Sequence, residues 1–190
     1  MSKEYIENQI YEKLDFNAKP LSKGEYEDCK FINCSFVNAD LSGSIFIACE
    51  FEQCDLSMTK LGNTTFREVK FSNCKLLGLA FNDCNHLLLS FDFENCQMNL
   101  ASFYKLHLKS TMFKNCNLQE VDFAEADFSR SNWEQCDLSG AVFDHTNLEQ
   151  ADFRTSKNYS IHPETNYIRK AKFSLTDVAG LLDRYNIEIE

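Results

Sequence analysis

Large apolar residues recur at every fifth position along most of the chain. From Leu21 the series runs through Tyr26, Phe31, Phe36, Leu41, Phe46, Phe51, Leu56, Leu61, Phe66, Phe71 and Leu76 to Phe81. After a slip of two residues it resumes at Phe93 and continues through Met98, Phe103, Leu108, Phe113, Leu118, Phe123, Phe128, Trp133, Leu138, Phe143 and Leu148 to Phe153. Each of these residues is the centre of a five-residue unit. The site two before the centre takes Cys, Ala, Ser, Thr or Val, with an occasional Leu, and it holds all nine cysteines: Cys29, Cys34, Cys49, Cys54, Cys74, Cys84, Cys96, Cys116 and Cys136. So narrow a choice marks a tight inward-facing site, where a reduced thiol behaves as a small hydrophobe. The residue just before the centre is often Asp or Asn, whose side chain bonds nearby backbone and favours turns.

A five-residue apolar period fits neither a 3.6-residue helix nor a two-residue strand. It fits a solenoid in which each unit forms one side of a coil. Cys34, Cys54 and Cys74 repeat at an interval of 20, as do Cys96, Cys116 and Cys136, so four units close one turn. The slip is then a short insertion within residues 85–92. About seven coils at strand spacing make a rod on the order of 33 Å long. The repeats are expected over residues 1–156, beginning at about residue 16, and a separate C-terminal segment over 157–190. Pro20 and Pro163 lie at the margins of the pattern, where a missing N–H does least harm to inter-coil pairing.

Beyond Phe153 the pattern changes. Ser174, Leu175, Thr176 and Asp177 form a capping-box sequence, and Val178, Leu181, Leu182 and Tyr185 follow with helical spacing, which predicts one short α-helix. Ile187 and Ile189 alternate with Glu188 and Glu190 as in an edge strand. An open solenoid end leaves backbone groups and apolar centres uncovered, so this segment caps its own rod or pairs with another.

Composition narrows the function. The 190 residues carry a formal charge of −10, which disfavours direct contact with nucleic acid or an anionic membrane and favours a basic partner. The N-terminus lacks the apolar core of a signal peptide, and HLLLSF at 86–91 is far too short to span a bilayer. A cytoplasmic protein with reduced thiols is expected. The six glycines form no phosphate-binding loop, and His86, His107, His145 and His162 have no metal-like spacing with the cysteines. No enzyme activity, cofactor or metal is therefore expected. Residues 120–152 are rich in carboxylates: Glu120, Asp122, Glu125, Asp127, Glu134, Asp137, Asp144, Glu149 and Asp152, against Arg130 alone. Asp122, Asp127, Asp137 and Asp152 occupy the turn position of the repeat. Glu120, Glu125, Glu134, Asp144 and Glu149 are not prescribed by it. A basic cluster, Lys105, His107, Lys109 and Lys114, reads as a solvated face.

The units CDLSM, ADLSG, VDFAE, ADFSR, CDLSG, TNLEQ and ADFRT resemble those of the pentapeptide-repeat family over roughly residues 16–156. That resemblance implies an all-β, right-handed quadrilateral β-helix. The tail KFSLxxxxxLLxxxxIEI is similar to that of the topoisomerase-protecting branch, the Qnr quinolone-resistance proteins and the albicidin and microcin immunity proteins. What this second resemblance implies is a homodimer joined through Phe173, Leu175, Val178, Leu181, Leu182, Ile187 and Ile189. It also implies a DNA mimic, its nine carboxylates forming an acidic face, that binds DNA gyrase or topoisomerase IV and relieves poisoning by a drug or toxin. The other reading is a scaffold for an unrelated protein. Several Qnr proteins have larger projecting loops, whereas this chain offers only the insertion at 85–92, which puts protection against fluoroquinolones in doubt.

Overall fold

The computed structural model describes residues 4–188. The chain winds into a parallel β-solenoid of about seven turns. Its strands are β1 (Glu4–Glu7), β2 (Ile10–Glu12), β3 (Gly24–Glu27), β4 (Lys30–Ile32), β5 (Ile45–Ile47), β6 (Glu50–Glu52), β7 (Thr65–Arg67), β8 (Val69–Ser72), β9 (Phe91–Glu94), β10 (Met112–Lys114) and β11 (Asn132–Glu134). Four ladders define four sides. Side one is the sheet β1-β3-β5-β7, taken up again by His107, Asp127, Asn147 and Tyr167. Side two is the sheet from β2 to β11, extended by Asp152 and Lys172. Side three joins Asp15, Ser35, Asp55, Lys75, Gln97, Asn117, Asp137 and Lys157. Side four joins Asp40 to Lys60 and Ala80 to Ser102, Asp122 and Val142.

The centres face inward and stack. On side two an unbroken aromatic column runs Tyr11, Phe31, Phe51, Phe71, Phe93, Phe113, Trp133, Phe153, Phe173, with successive ring centroids 4.5–5.5 Å apart. Offset stacking at this separation adds to the gain from burying each ring. The Phe71–Phe93 step spans the insertion, so the slip is absorbed on side one without disturbing the column. There Leu89 turns inward while Leu87 and Leu88 remain exposed.

The turns follow from two positions of the unit. The carboxylate or amide before the centre accepts the N–H two residues on: Asp40 from Ser42, Asp55 from Ser57, Asp122 from Ala124, Asp127 from Ser129, Asp137 from Ser139 and Asn147 from Glu149, all at 2.9–3.1 Å. The residue two after the centre then adopts a left-handed conformation, as at Asn38, Met58, Glu120 and Glu125 with φ between 55° and 59°. Such φ values cost roughly 1 kcal/mol in a non-glycine residue. An inter-coil bond at the same residue offsets the cost, as in Glu120 N–H to the Ser139 oxygen at 2.9 Å.

The solenoid exceeds the stretch expected from sequence at both ends. β1 and β2 pair in register with β3 and β4, so that Ile6, Tyr11 and Phe16 are further centres at the same step of five. At the other end Lys157, Tyr167 and Lys172 still pair with the preceding coil. The pattern is lost there in sequence because Asn158 stands where a centre is due. Buried Tyr159 and Ile161 fill the interior instead.

The expected α-helix at the C-terminus is corrected to two 3-10 helices, Val178–Leu181 and Asp183–Tyr185. Only half of the capping box forms: the Asp177 N–H donates to Ser174 Oγ at 3.1 Å, while the Asp177 carboxylate accepts from the Ser174 hydroxyl at 2.8 Å rather than from its N–H. The turns close through i to i−3 bonds, and the Gly180 carbonyl accepts from the Ile161 N–H at 2.9 Å rather than from a residue of the tail. Residues 186–188 form no strand, and Ile189 lies outside the described residues.

Candidate functional site

The nine carboxylates at 120–152 do not share a face. Glu134 and Asp152 lie on side two, Glu120 and Asp137 on side three, Asp122, Glu125 and Asp144 on side four, and Asp127 and Glu149 on side one. They form a girdle around the C-terminal half of the rod. The periodicity that spaced them in sequence also distributes them, since residues five apart fall on successive sides.

Several of them are neutralised within the rod. Lys105 pairs with Glu125 at 3.3 Å, Lys109 with Asp127 at 3.4 Å, Arg169 with Glu149 at 3.2 Å, and Arg154 and Lys172 with Asp152 at 2.8 and 3.5 Å. The basic cluster noted in sequence therefore divides between sides, and Lys114 pairs with Glu94 at 2.8 Å. Tyr104 also donates to Glu125 at 2.9 Å, and this bond with the nearby Lys105 holds the Glu125 carboxyl below its ordinary value. Among the described residues Asp144 pairs only with His145, at 3.0 Å. Glu120, Asp122, Glu134 and Asp137 have no ion-pair partner among the described residues.

Asp137 is tied into the surface differently. Burial alone would raise its pKa, but donors from Asn158, Ser139 and Gln119 outweigh it and hold the carboxyl at about 2. Asn99, Asn117, Gln119 and Asp137 join in an amide ladder up side three. Exposed Met58 and Leu100 lie on the same side.

The residues assigned to the dimer contact lie at the C-terminal end but are not equivalent. Phe173 is the last ring of the aromatic column, stacked on Phe153 at 5.5 Å. Leu181 packs against the core, and Val178 and Leu182 are half-buried. Leu175, 94% exposed, and Ile187, 56% exposed, face away from the rod. The tail closes the end of its own solenoid and leaves these two apolar side chains uncovered.

The inward cysteines prove to be more than small hydrophobes. Cys34, Cys54, Cys74, Cys96, Cys116 and Cys136 each donate to the carbonyl oxygen of a side-two aromatic residue in the preceding coil, at 3.2–3.7 Å. Thr59, Thr64 and Thr146 place a hydroxyl in the same bond at 2.8–2.9 Å. The mixture of Cys, Ser and Thr at this site was the available sequence signal for a donor. All nine thiols are free and buried. Among the described residues no group of His, Cys, Asp or Glu could hold a metal ion, and no helix is long and apolar enough to cross a membrane.

Residues 25–92 and 88–162 match the family model described as pentapeptide repeat region. No curated protein matches the sequence. Among solved structures, a trypsin-treated form of QnrB1, described as a plasmid-mediated fluoroquinolone resistance protein, is 22% identical over 98% of this chain and 100% of its own, with a TM-score of 0.49. The full-length form of the same protein is 20% identical over 97% and 100%, with a TM-score of 0.43. HetL from the cyanobacterium Nostoc sp., described as involved in heterocyst differentiation regulation, is 15% identical over 92% and 90%, with a TM-score of 0.30.

Proposed function

Since the chain belongs to the pentapeptide-repeat family, we propose that it works by presenting a rigid charged surface to another protein, and that this partner is the basic DNA-binding surface of a type II topoisomerase, DNA gyrase or topoisomerase IV. The observation that carries the reading is the girdle. A net charge of −10 on a stiff rod, with carboxylates on all four sides rather than one, distributes negative charge around a cylinder as a DNA duplex does. Such a body competes for a basic groove by electrostatic complementarity, whichever side enters. The resemblance of the tail to the topoisomerase-protecting branch supports the same partner. Exposed Leu175 and Ile187 support a homodimer joined through the C-terminal ends, which would place the two girdles on either side of the seam. In this reading the protein relieves poisoning by a drug or toxin without catalysing a reaction.

The ion pairs at Glu125, Asp127, Glu149 and Asp152 favour a second reading, a scaffold that binds an unrelated protein, because neutralised carboxylates contribute little to mimicry. A gyrase supercoiling and cleavage assay, with and without a fluoroquinolone, albicidin or microcin, separates the two. Topoisomerase binding predicts altered supercoiling or rescue from cleavage. It further predicts loss of that effect when Glu120, Glu134 and Asp144, whose carboxylates have no lysine or arginine partner among the described residues and bond no turn N–H, become Gln, Gln and Asn. No change up to tens of micromolar protein would leave only the scaffold.

A further inference from the structure

The two ends of the rod are unlike. The tail covers the C-terminal end, whereas the N-terminal end has no cap among the described residues. Ile6, Tyr11 and Leu21 of the first coil are only half-buried, while Tyr26, Phe31 and Leu41, the same positions one coil on, are at most 1% exposed. A cavity of about 370 Å³ opens there, lined by Ile6, Tyr11, Leu14, Phe16 and Leu21 among others.

Among the described residues the outward backbone N–H groups at this end have no acceptor. Within the rod, Thr65 N–H donates to the Ser44 oxygen at 2.9 Å and Lys30 N–H to the Gln9 oxygen at 2.9 Å, bonds that tie each coil to the one before. Tyr5 and Ile10 hold the same positions in the first coil, and no described coil precedes them. An extended strand is the form of polypeptide that pairs with such an edge.

Charge on side one selects which strand. β1 and β3 carry Glu4, Glu7, Glu25 and Glu27 and no lysine or arginine. None of the four is in an ion pair among the described residues, and Glu27 accepts a bond from Tyr5 Oη at 2.6 Å. A second copy pairing edge to edge would set Glu4 and Glu7 against identical carboxylates, which destabilises a strand pair. Lys13 and Lys19 line the cavity too, but neither belongs to β1 or β3.

We propose that the N-terminal end is a docking edge for an extended segment of another protein with alternating basic and apolar residues. The segment adds as a further strand on β1. Its apolar side chains point inward over Ile6 and the cavity, and its basic side chains point outward over Glu7, Glu25 and Glu27. This surface lies at the opposite end from the tail and the girdle, and it is independent of the topoisomerase reading.

The probe is a fluorescein-labelled peptide of alternating lysine and valine, titrated with the full chain and followed by anisotropy. A glutamate–valine peptide and a lysine–valine peptide N-methylated at alternate amides are the comparisons. Saturable binding of the first peptide, weakened about tenfold or more in both comparisons and in the exposed variant Glu7→Lys, is the expected result. Tyr5→Pro removes the outward N–H and should weaken binding similarly, its fold verified by circular dichroism, whereas Tyr5→Phe, which loses only the Oη bond to Glu27, should bind as the native chain does. Equal binding of the N-methylated peptide would reduce the effect to charge and overturn the proposal. So would absence of binding at millimolar peptide, indifference to Glu7→Lys, or a dimer that survives deletion of residues 174–190.

Discussion

The Cys54 thiol lies 3.2 Å from the Phe31 carbonyl oxygen in the preceding coil and donates to it. Thr59 makes the equivalent bond to Phe36 with a hydroxyl at 2.8 Å. Cys54→Ser should therefore retain stability to within about 1 kcal/mol, whereas Cys54→Ala loses both donor and volume and should cost about 1–2 kcal/mol. Urea unfolding followed by the fluorescence of buried Trp133 measures the difference.

Thiol reactivity provides a separate check on the same packing. Burial pushes the Cys49 thiol up to about 12, and none of the nine cysteines is more than 5% exposed. A reagent must reach the sulfur before it can react, and none of the nine is within its reach in the folded chain. Thiol reagents should label none of the nine in the folded protein and all of them in denaturant. Fast labelling of the native state would contradict the stacked interior.

Asp137 makes stability depend on acid. Its carboxyl sits at about 2 in the folded protein, below the ordinary value of about 3.9 in an unfolded chain. A depressed carboxylate stabilises the fold above about pH 4, and that contribution is lost as pH falls towards 2. Asp137→Asn should flatten the decline in melting temperature across this interval. An unchanged slope would show that the donors from Asn158, Ser139 and Gln119 do not bind the carboxylate preferentially.

Gly180 is the joint between tail and rod. A Cβ there would collide with the Tyr159 carbonyl oxygen, and the Gly180 carbonyl itself receives the Ile161 N–H at 2.9 Å. Gly180→Ala should lift residues 174–188 from the end of the solenoid and leave the upstream coils folded. Limited proteolysis should then cut the tail at much lower protease concentration than in the native chain.

Phe173 tests the dimer. The homodimer predicts a solution mass of twice 22.0 kDa. Leu175→Asp changes a side chain that makes little contact with its own rod and should yield a folded monomer. Phe173→Ala removes the last ring of the column and should cost about 2 kcal/mol of stability as well. A native chain that elutes as a monomer would assign the tail to capping alone.

The sequence by itself determined the interior. Period five and the interval of 20 fixed four sides, the inward centres, the cysteine column and the position of the slip, because each depends only on which residues point inward along a regular path. The turn role of Asp122 or Asp137 was legible for the same reason, since its hydrogen bond reaches two residues along the chain. The first coil keeps the same step at Ile6, Tyr11 and Phe16, but the repeats were expected only from about residue 16, and its pairing with β3 and β4 is what revealed it. Tertiary structure decided whatever depended on a partner distant in sequence. Glu125 met Lys105 only because coils stack, and the nine carboxylates became a girdle rather than a face because each fifth residue turns a corner. The tail sequence carried a helical pattern, but in the fold it forms 3-10 turns whose Gly180 carbonyl is bonded to Ile161 of the rod. A local period specifies direction; only the closed coil decides which groups meet.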